Sequence, residues 1–415
     1  MSNNKYFFLP SSIFHLLLFL FSISLFSSCD FLFGKKQDGV TKDIFTQGAI
    51  DPNVFPNSVG YVPVLPIWKN IPNPVDVLVG YDNMVYVCDD NGLDIFDLKG
   101  TLQRNIPILN ATDVCQDRRL HTFVVGRINK IVNGNSYNLA CMYHIMNAST
   151  SGTPLMIDTL IHPFCDVSRN NSAFRGIQDE QVQFTGVTSF ADNSIAISRS
   201  GPANDLSSVA RPDNTILFFD SKGVNTNYSN GLNPLTSSLK SELGISSIVS
   251  FAAPPQSTNG ISTSQDFLIT QTDAAAEYKV LWIKQIVDPD NGNSYAENSS
   301  LINFDFSKAD RFLYTQKRFT NPSDVFAAPD FSGYIFVVDA TTDSLYQFTR
   351  KGFEGVNAPP NFSSSKQIIA SFGGSGSGPF NFNQPSGVCY FNKIIYVADK
   401  GNNRICRFKL SSDVE

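Results

Sequence analysis

The sequence predicts an all-β fold: a six-bladed β-propeller in which an N-terminal strand closes the last blade. Three observations support this prediction, namely a repeated strand pattern, a low content of charge, and an unassigned strand ahead of the first repeat. Charged residues make up 16% of the 415 residues, against roughly 25% in ordinary globular chains. A long chain rich in polar turn residues and poor in charge favours a strand-based repeat array over a helical fold.

The repeat is clearest at the C-terminus, where residues 383–408 contain two apolar runs joined by a short polar turn. Similar segments begin near Asn73 and Asn321, and each opens with Pro, any residue, Asp or Gly, and then Val. In all three copies, six residues separate the Asp that ends the second strand from the first aliphatic residue of the third: Asp89 to Ile95, Asp339 to Leu345, and Asp399 to Ile405. Such a shared spacing indicates stacked meanders of one design.

Weaker copies fill the middle of the chain and bring the number of strand openings to six, near positions 77, 114, 187, 248, 325 and 388. A small sheet of three or four strands buries its faces only against neighbouring sheets, so this period predicts a propeller. The last copy lacks an outer strand, and the segment from Val59 to Trp68 is free to supply it. Its two prolines suit an edge strand.

Two further features interrupt the repeats. The segment from Asn233 to Leu243 carries Pro234 in its first turn and Gly244 after its end, which predicts a short helix. Insertions at about 129–180, 199–214 and 285–305 are expected to project as loops, where binding sites are commonly found.

The N-terminus has the pattern of an export signal. Lys5 precedes an apolar stretch from Ile13 to Phe26, which small residues connect to Cys29. This segment resembles the lipobox of bacterial lipoproteins, although Phe26 stands where Leu is usual, and the resemblance implies lipidation of Cys29 after cleavage. We therefore expect a signal peptide at 1–28, a lipidated tether at 29–59 and a propeller at 60–415. The alternative is an ordinary secretory signal cleaved nearby.

The resemblance implies that the protein is exported and lipid-anchored in the bacterial cell envelope. We expect the outer membrane or cell surface; the alternative is the inner membrane, where an Asp directly after the lipidated Cys, here Asp30, retains lipoproteins in some bacteria. Six other cysteines could form disulfides in such a compartment. Their spacing lacks any CxxC pair, and a core of this size does not need covalent links, so buried free thiols are favoured. These residues are Cys88, Cys115, Cys141, Cys165, Cys389 and Cys406.

Residues 372–408 are similar to the NHL repeat, which runs from a glycine-rich segment through Pro-x-Gly-Val to Asp, Gly-Asn-Asn-Arg-Ile and a final aromatic residue. The match weakens toward 320–350 and 73–100 and is poor between 112 and 290. NHL-like chains form six-bladed propellers, in agreement with the six openings. The turn made by Asp399, Gly401, Asn402, Asn403 and Arg404 is expected to be structural: Gly401 and one Asn tolerate positive φ, and Arg404 pairs with Asp399.

The residues just before the six inner strands should face the mouth of the central channel, and three of them are acidic: Asp76, Asp113 and Asp324. Calcium takes about six to eight oxygen ligands and accepts carboxylates. Related lactonase and esterase propellers bind a central metal, so the resemblance makes these residues candidate Ca²⁺ ligands. The alternative is that each Asp bonds a backbone amide close to it.

Other catalytic signals are weak. His121, His144 and His162 all fall in the second blade, so we expect structural histidines and no dyad assembled from different blades. The sequence contains no GxSxG, HExxH or P-loop motif, and "GGSGSG" at 373–378 lacks the Lys-Ser/Thr end of a phosphate loop.

These observations favour a monomeric, non-catalytic module that is held at a membrane by Cys29 and binds a protein, peptide or glycan. No cofactor is expected for it. The alternative is a Ca²⁺-dependent lactonase or esterase that uses the three Asp residues. A net charge of −6 without a basic stripe argues against nucleic acid as a partner.

Overall fold

A computed structural model describes residues 59–150, 152–162, 175–204, 212–230, 242–254, 264–290, 292–302, 304–358 and 365–413. Six small antiparallel sheets follow one another along these residues, and the inner strand of each sheet contacts the inner strands of the sheets before and after it. The contact between the last and the first inner strand closes a ring. The fold is therefore the six-bladed β-propeller that the repeats predict.

Each blade contributes one strand to the centre of the ring. The inner strands are β3 (Asp76–Val79), β7 (Asp113–Gln116), β11 (Gln183–Ser189), β15 (Ile245–Ser250), β19 (Pro322–Ala327) and β23 (Pro385–Phe391). They begin at the six predicted openings. All begin on one face of the ring, the upper face, and end on the opposite face, the lower face.

The remaining strands continue each blade outward. The second strands are β4 (Val85–Asp89), β8 (Thr122–Val132), β12 (Ile195–Ser200), β16 (Phe267–Gln271), β20 (Ile335–Asp339) and β24 (Ile394–Asp399). The third strands are β5 (Gly92–Phe96), β9 (Asn135–Met146), β13 (Thr215–Phe219), β17 (Val280–Asp288), β21 (Ser344–Phe348) and β25 (Arg404–Leu410). The outer strands are β6 (Leu102–Ile106), β10 (Leu155–Ile161), β14 (Asn225–Asn230), β18 (Gly292–Glu297), β22 (Phe372–Gly373), β1 (Tyr61–Pro63) and β2 (Trp68–Lys69).

The last blade takes its outer strand from the N-terminal side of the chain, as predicted. β1 pairs with β25 so that Tyr61 faces Leu410, and β2 pairs Trp68 with Ile405 of the same strand. The Trp68 ring is 5% exposed and lies 4.8 Å from the Arg407 guanidinium carbon. Since this closure and all six sheets lie within residues 59–413, a chain that begins after Cys29 contains every strand of the propeller.

Helix is scarce in the described residues: one short α-helix, α1 (Ile177–Glu180), and 3-10 turns at Ser299–Ile302, Lys400–Asn402 and Ser411–Asp413. Within these residues, no helix is long and apolar enough to cross a membrane. The helix predicted at 233–243, the signal peptide and most of the tether lie wholly or mainly outside the described residues. Cys88, Cys115, Cys141, Cys389 and Cys406 are buried free thiols, as expected, and Cys165 also falls outside.

In their described parts, two of the three predicted insertion loops contain strands. The first contains the end of β8, all of β9 and β10, and the third contains the outer hairpin of β17 and β18. The prediction of loops was wrong because these hairpins extend past the core, so their tips lose the apolar alternation that marks a half-buried strand. Part of the second insertion, 199–214, lies outside the described residues.

Candidate functional site

An open cavity of about 460 Å³ occupies the upper face, above the central channel. It is lined mainly by polar side chains from the starts of the inner strands and from the turns between second and third strands. The lining includes Asp76, Thr112, Asp113, Gln183, Ser246, Ser247, Asn321, Ser323, Asp324, Thr341, Gln384, Ser386 and Lys400. We call this space the upper cavity.

The three predicted Asp residues do lie together around the floor of the upper cavity, and each is nearly buried. Asp76 accepts a hydrogen bond from the Val114 amide of the next blade at 3.1 Å. Asp324 accepts one from the Val388 amide of the next blade at 2.6 Å. Asp113 is bonded in the same way by the amide of Val187. Each carboxylate therefore connects its own blade to the following one.

The surroundings of these carboxylates favour their neutral form. Burial is the main cause and raises the pKa of Asp76 to about 6. Burial also raises the pKa of Asp113 and Asp324 well above the ordinary value, and repulsion from Asp76 adds to both shifts. Amide N–H donors oppose this effect because they stabilise the ionised form. The three groups thus form one electrostatically linked cluster.

We call the residues of the six blades that are equivalent to Asp76, Asp113 and Asp324 the ring positions; the other three are Gly186, Ser247 and Gly387. A second set of hydrogen bonds between blades is made by hydroxyl groups one residue before a ring position. Each hydroxyl donates to the backbone carbonyl that lies two residues before the ring position of the next blade. The pairs are Thr112 to Phe184 at 3.2 Å, Ser246 to Pro322 at 2.7 Å, Ser323 to Pro385 at 2.6 Å, and Ser386 to Pro74 at 2.8 Å. These hydroxyls are therefore committed to the ring.

Both carboxylate oxygens of Asp324, on the floor of the upper cavity, already accept hydrogen bonds from protein groups. Its Oδ1 accepts from the Ser247 hydroxyl at 2.5 Å and from the Val325 amide at 2.7 Å, while Oδ2 accepts from Val388. Among the described residues, no group of three or more His, Cys, Asp or Glu side chains is arranged to hold a metal ion. A Ca²⁺ site at the three Asp residues stays a prediction, and a bound ion would have to compete with these amide bonds.

The rim of the upper cavity is different, because several of its polar side chains are uncommitted. Over the part of the chain that the structure describes, Lys400, Asn321, Gln384, Thr341 and Gln183 form no side-chain hydrogen bond or ion pair. Lys400 begins the turn between β24 and β25, which places an ammonium group at the rim. These donors and acceptors are available to a ligand.

The NHL turn that carries Lys400 is a buried polar network. Arg404 donates to Asp399 at 2.6 Å and also to carbonyls in the glycine-rich segment, including that of Ser377 at 2.7 Å. Asn402 donates to Asp399 at 2.8 Å. Asn403 has the expected positive φ of 53°.

Gly401 differs from its predicted role, because its φ is not positive. A Cβ at this position would lie 2.5 Å from Asn383, so Gly401 is required for a close approach. The glycine-rich segment at 373–378 serves as an acceptor surface for Arg404 and Asn402, consistent with its interpretation as a structural turn.

The histidines also differ in part from expectation. His121 Nδ1 and His144 Nε2 lie 2.9 Å apart, so a histidine pair forms within one blade. Burial lowers the pKa of His144 to about 4, which keeps this imidazole neutral at pH 7. The prediction considered only convergence from different blades, whereas neighbouring strands of one hairpin also bring side chains together.

The bonds made by the hydroxyl set and the uncommitted rim side chains were not predicted from the sequence. A signal for the first was present: Ser or Thr stands immediately before the ring position in five of the six blades, at Thr112, Thr185, Ser246, Ser323 and Ser386. A signal for part of the rim was present too, because Gln183, Asn321 and Gln384 each stand three residues before the ring position of their blade. That they lie around one cavity with Lys400 and Thr341 depends on closure of the ring.

Residues 382–408, which form most of the last blade, match the NHL repeat family. No curated protein sequence matches the chain. Among solved structures, the chain is similar to an auxiliary nutrient binding protein from Bacteroides thetaiotaomicron, with 11% identity over 82% of this chain and 70% of that chain and a TM-score of 0.47. A second auxiliary nutrient binding protein, from Bacteroides ovatus, shows 13% identity over 88% and 75% of the two chains, with a TM-score of 0.46.

Virginiamycin B lyase from Staphylococcus aureus is also similar, with 9% identity over 85% of this chain and 99% of that chain and a TM-score of 0.42. These identities and scores are too low to carry an argument about what the present chain binds or catalyses. The repeat match and the ring of six sheets do agree with each other. The protein is a six-bladed β-propeller whose last blade contains an NHL repeat.

Proposed function

We propose that the protein is a non-catalytic binding module that takes a peptide or glycan in the upper cavity. The observation that carries this proposal is a difference in hydrogen bonding between the floor and the rim of the upper cavity. The floor carboxylates and hydroxyls are bonded to backbone groups of neighbouring blades. Within the described residues, the rim presents three side-chain amides, one hydroxyl and the Lys400 ammonium that form no side-chain hydrogen bond or ion pair. Convergent hydrogen-bonding groups around an open concavity are typical of a ligand site.

The chemistry of the rim side chains limits the kinds of ligand that suit the upper cavity. Amide groups both donate and accept, so they suit hydroxyl-bearing or peptide groups, and Lys400 requires an acceptor or an anion. Any of the three floor carboxylates that is ionised would repel a ligand that brings negative charge to the floor. A polar ligand with its acceptor directed toward Lys400 and Gln384, and with neutral groups above the floor, satisfies both conditions.

The test is a binding screen on residues 30–415 against glycan and peptide arrays, followed by calorimetry on any hit. Lys400→Ala and Gln384→Ala should each weaken binding about tenfold, since a lost charged or amide hydrogen bond contributes about 1–2 kcal/mol. Lys99→Ala is the matched control, because Lys99 is exposed on another blade. A hit whose affinity both rim variants retain would place the ligand elsewhere.

The second part of the proposal is anchoring through a lipid on Cys29, at the outer membrane or cell surface of a bacterium. Its support is the signal pattern that ends at Cys29. Two or more acyl chains hold a protein on a membrane far more firmly than one. Labelling cells with an alkyne fatty acid should mark the wild type and a Ser28→Ala control but not Cys29→Ala. Labelled Cys29→Ala protein would contradict the proposal.

A Ca²⁺-dependent hydrolase is the second candidate, and the mutual repulsion of Asp76, Asp113 and Asp324 is the observation that favours it. A bound cation would relieve that repulsion. Calorimetry with CaCl₂ distinguishes the two proposals. Binding at micromolar Ca²⁺ that Asp324→Asn abolishes would justify a screen of lactones and esters. The absence of a heat signal at millimolar Ca²⁺ would contradict the hydrolase proposal and favour the binding module.

A further inference from the structure

A second cavity, of about 360 Å³, lies on the lower face between blades 4 and 5. Trp282 and Lys284 of β17 form one side, and Arg350, Lys351 and Phe353, which follow β21, form the other. Asn298, Ser300 and Leu301 complete the lining. We call this space the basic cavity. It is separate from the upper cavity, because β17 and β21 both end on the face opposite to it.

The charge of this cavity is opposite to that of the whole chain. Three cationic side chains, Lys284, Arg350 and Lys351, line it, whereas the chain carries a net charge of −6. None of the described residues in the lining is acidic. Asp266, which accepts from the lining residue Trp282, is engaged by the Trp282 indole at 3.0 Å and by the Gln285 amide at 2.9 Å.

The three cations are also uncommitted. Within the described part of the chain, neither the two lysine ammonium groups nor the guanidinium makes a hydrogen bond or ion pair. Cations that line one cavity without a counter-charge raise the local concentration of an anionic ligand.

Arg350 is held in place without using its donors. Its guanidinium carbon lies 5.0 Å from the centre of the Phe251 ring and 5.3 Å from that of Trp282. Stacking on aromatic faces orients the plane of a guanidinium and leaves the N–H groups at its edge free for an oxyanion. The turn that carries Arg350 is closed by a 2.8 Å bond from the Gly352 amide to the Thr349 carbonyl.

We propose that the basic cavity binds a phosphate group. A tetrahedral phosphate accepts hydrogen bonds from several directions and carries more than one charge in a monoester, which suits one guanidinium and two ammonium groups. The cavity has room for a phosphate and a small attached portion. The phosphate comes either from a soluble phosphate ester or from a lipid headgroup, because both present the same oxyanion.

Exposed aromatic residues near this cavity make the lipid source worth testing. Phe306 is 63% exposed and packs on Phe312, whose ring in turn contacts Phe353 of the cavity wall. Phe331 is 83% exposed in the turn of Gly333, which adjoins Arg350. Cations beside exposed aromatic side chains are the combination that favours an anionic membrane surface.

The first experiment is calorimetry of residues 30–415 with inorganic phosphate and with glycerol 3-phosphate at low ionic strength. The expected result is binding that added salt weakens. Arg350→Ala should lower the affinity at least about tenfold, because a charge-assisted contact is lost. Lys284→Ala and Lys351→Ala should each lower it several-fold. Lys99→Ala, an exposed cation in blade 1, should leave the affinity unchanged.

The second experiment is co-sedimentation of the same protein with phosphatidylglycerol-containing vesicles and with pure phosphatidylcholine vesicles. Binding to the anionic vesicles that the cation variants lose assigns the phosphate to a lipid headgroup. Binding to the soluble probes alone assigns it to a soluble ester. If Arg350→Ala fails to fold, the Lys284→Ala/Lys351→Ala double variant replaces it. Absence of binding to every probe, or binding that all these variants retain, overturns the proposal.

Discussion

The upper ring and the basic cavity each bring together three side chains of like charge, and the surroundings of these side chains differ. The ring carboxylates are nearly buried and bonded to backbone amides of the next blade. The cations of the basic cavity are exposed and make no polar bond within the described residues. This difference indicates that a committed charge, one bonded to other groups of the protein, supports the fold. An uncommitted charge, one without such a bond within the described residues, is available to a ligand. Substitutions can test this division directly.

The largest effect is expected at Arg404, a nearly buried residue whose guanidinium donates to Asp399 and to three backbone carbonyls. Arg404→Ala removes a buried ion pair and several bonds to carbonyls, and should reduce the free energy of unfolding by about 3–5 kcal/mol. Urea unfolding followed by circular dichroism measures it. Lys393→Ala breaks an exposed pair with Asp413 and serves as the control, with an expected loss below about 1 kcal/mol. Equal losses of unfolding free energy in the two variants would contradict the expected difference between a buried and an exposed ion pair.

A smaller effect is expected at Asp324. Asp324→Ala leaves the Val388 amide and the Ser247 hydroxyl without their acceptor, which should lower the free energy of unfolding by about 2–3 kcal/mol. Asp324→Asn keeps one acceptor oxygen and removes the repulsion, so it should be more stable than the Ala variant by about 1 kcal/mol or more. Matching denaturation midpoints for the two variants would mean that the carboxylate does not fasten the blades.

The pH dependence of stability provides a further test of the buried ring carboxylates. The folded pKa of Asp76, about 6, lies above its value of 3.8 in an unfolded chain, so the folded state binds the extra proton between these values. Stability should therefore rise as the pH falls from 7 toward 4, by about 2 kcal/mol for this group alone. Thermal unfolding of wild type and Asp76→Asn across this range measures it. A slope that the variant retains would assign the effect to other groups.

The smallest effect is expected in the basic cavity. Lys351→Ala should change the free energy of unfolding by less than about 0.5 kcal/mol, because the side chain is exposed and unbonded in the described structure. The same variant should lose affinity for phosphate. A marked loss of stability would show that Lys351 belongs to the committed charges instead.

Much of the fold could be predicted because the repeat is local. The Pro-x-Asp/Gly-Val openings and the fixed distance from Asp399 to Ile405 depend on turn chemistry within about 30 residues, so a single blade reveals them. The closing strand was also predictable, because one blade lacked a strand and Val59–Trp68 was unassigned. The hairpin tips were not, because β8, β9, β17 and β18 project beyond the core that imposes apolar alternation.

The number of blades, the ring positions of Asp76, Asp113 and Asp324, and the structural role of the Arg404 turn could all be read from the residues alone. Which charges are bonded within the protein could not, because it depends on the packed fold. The hydrogen bond that the Val388 amide donates to Asp324 spans 64 residues, and the stacking of Arg350 on Trp282 joins two blades. Such contacts depend on how neighbouring sheets pack around a closed ring. A residue's type and its local pattern do not specify that packing, because it arises between segments far apart in the chain.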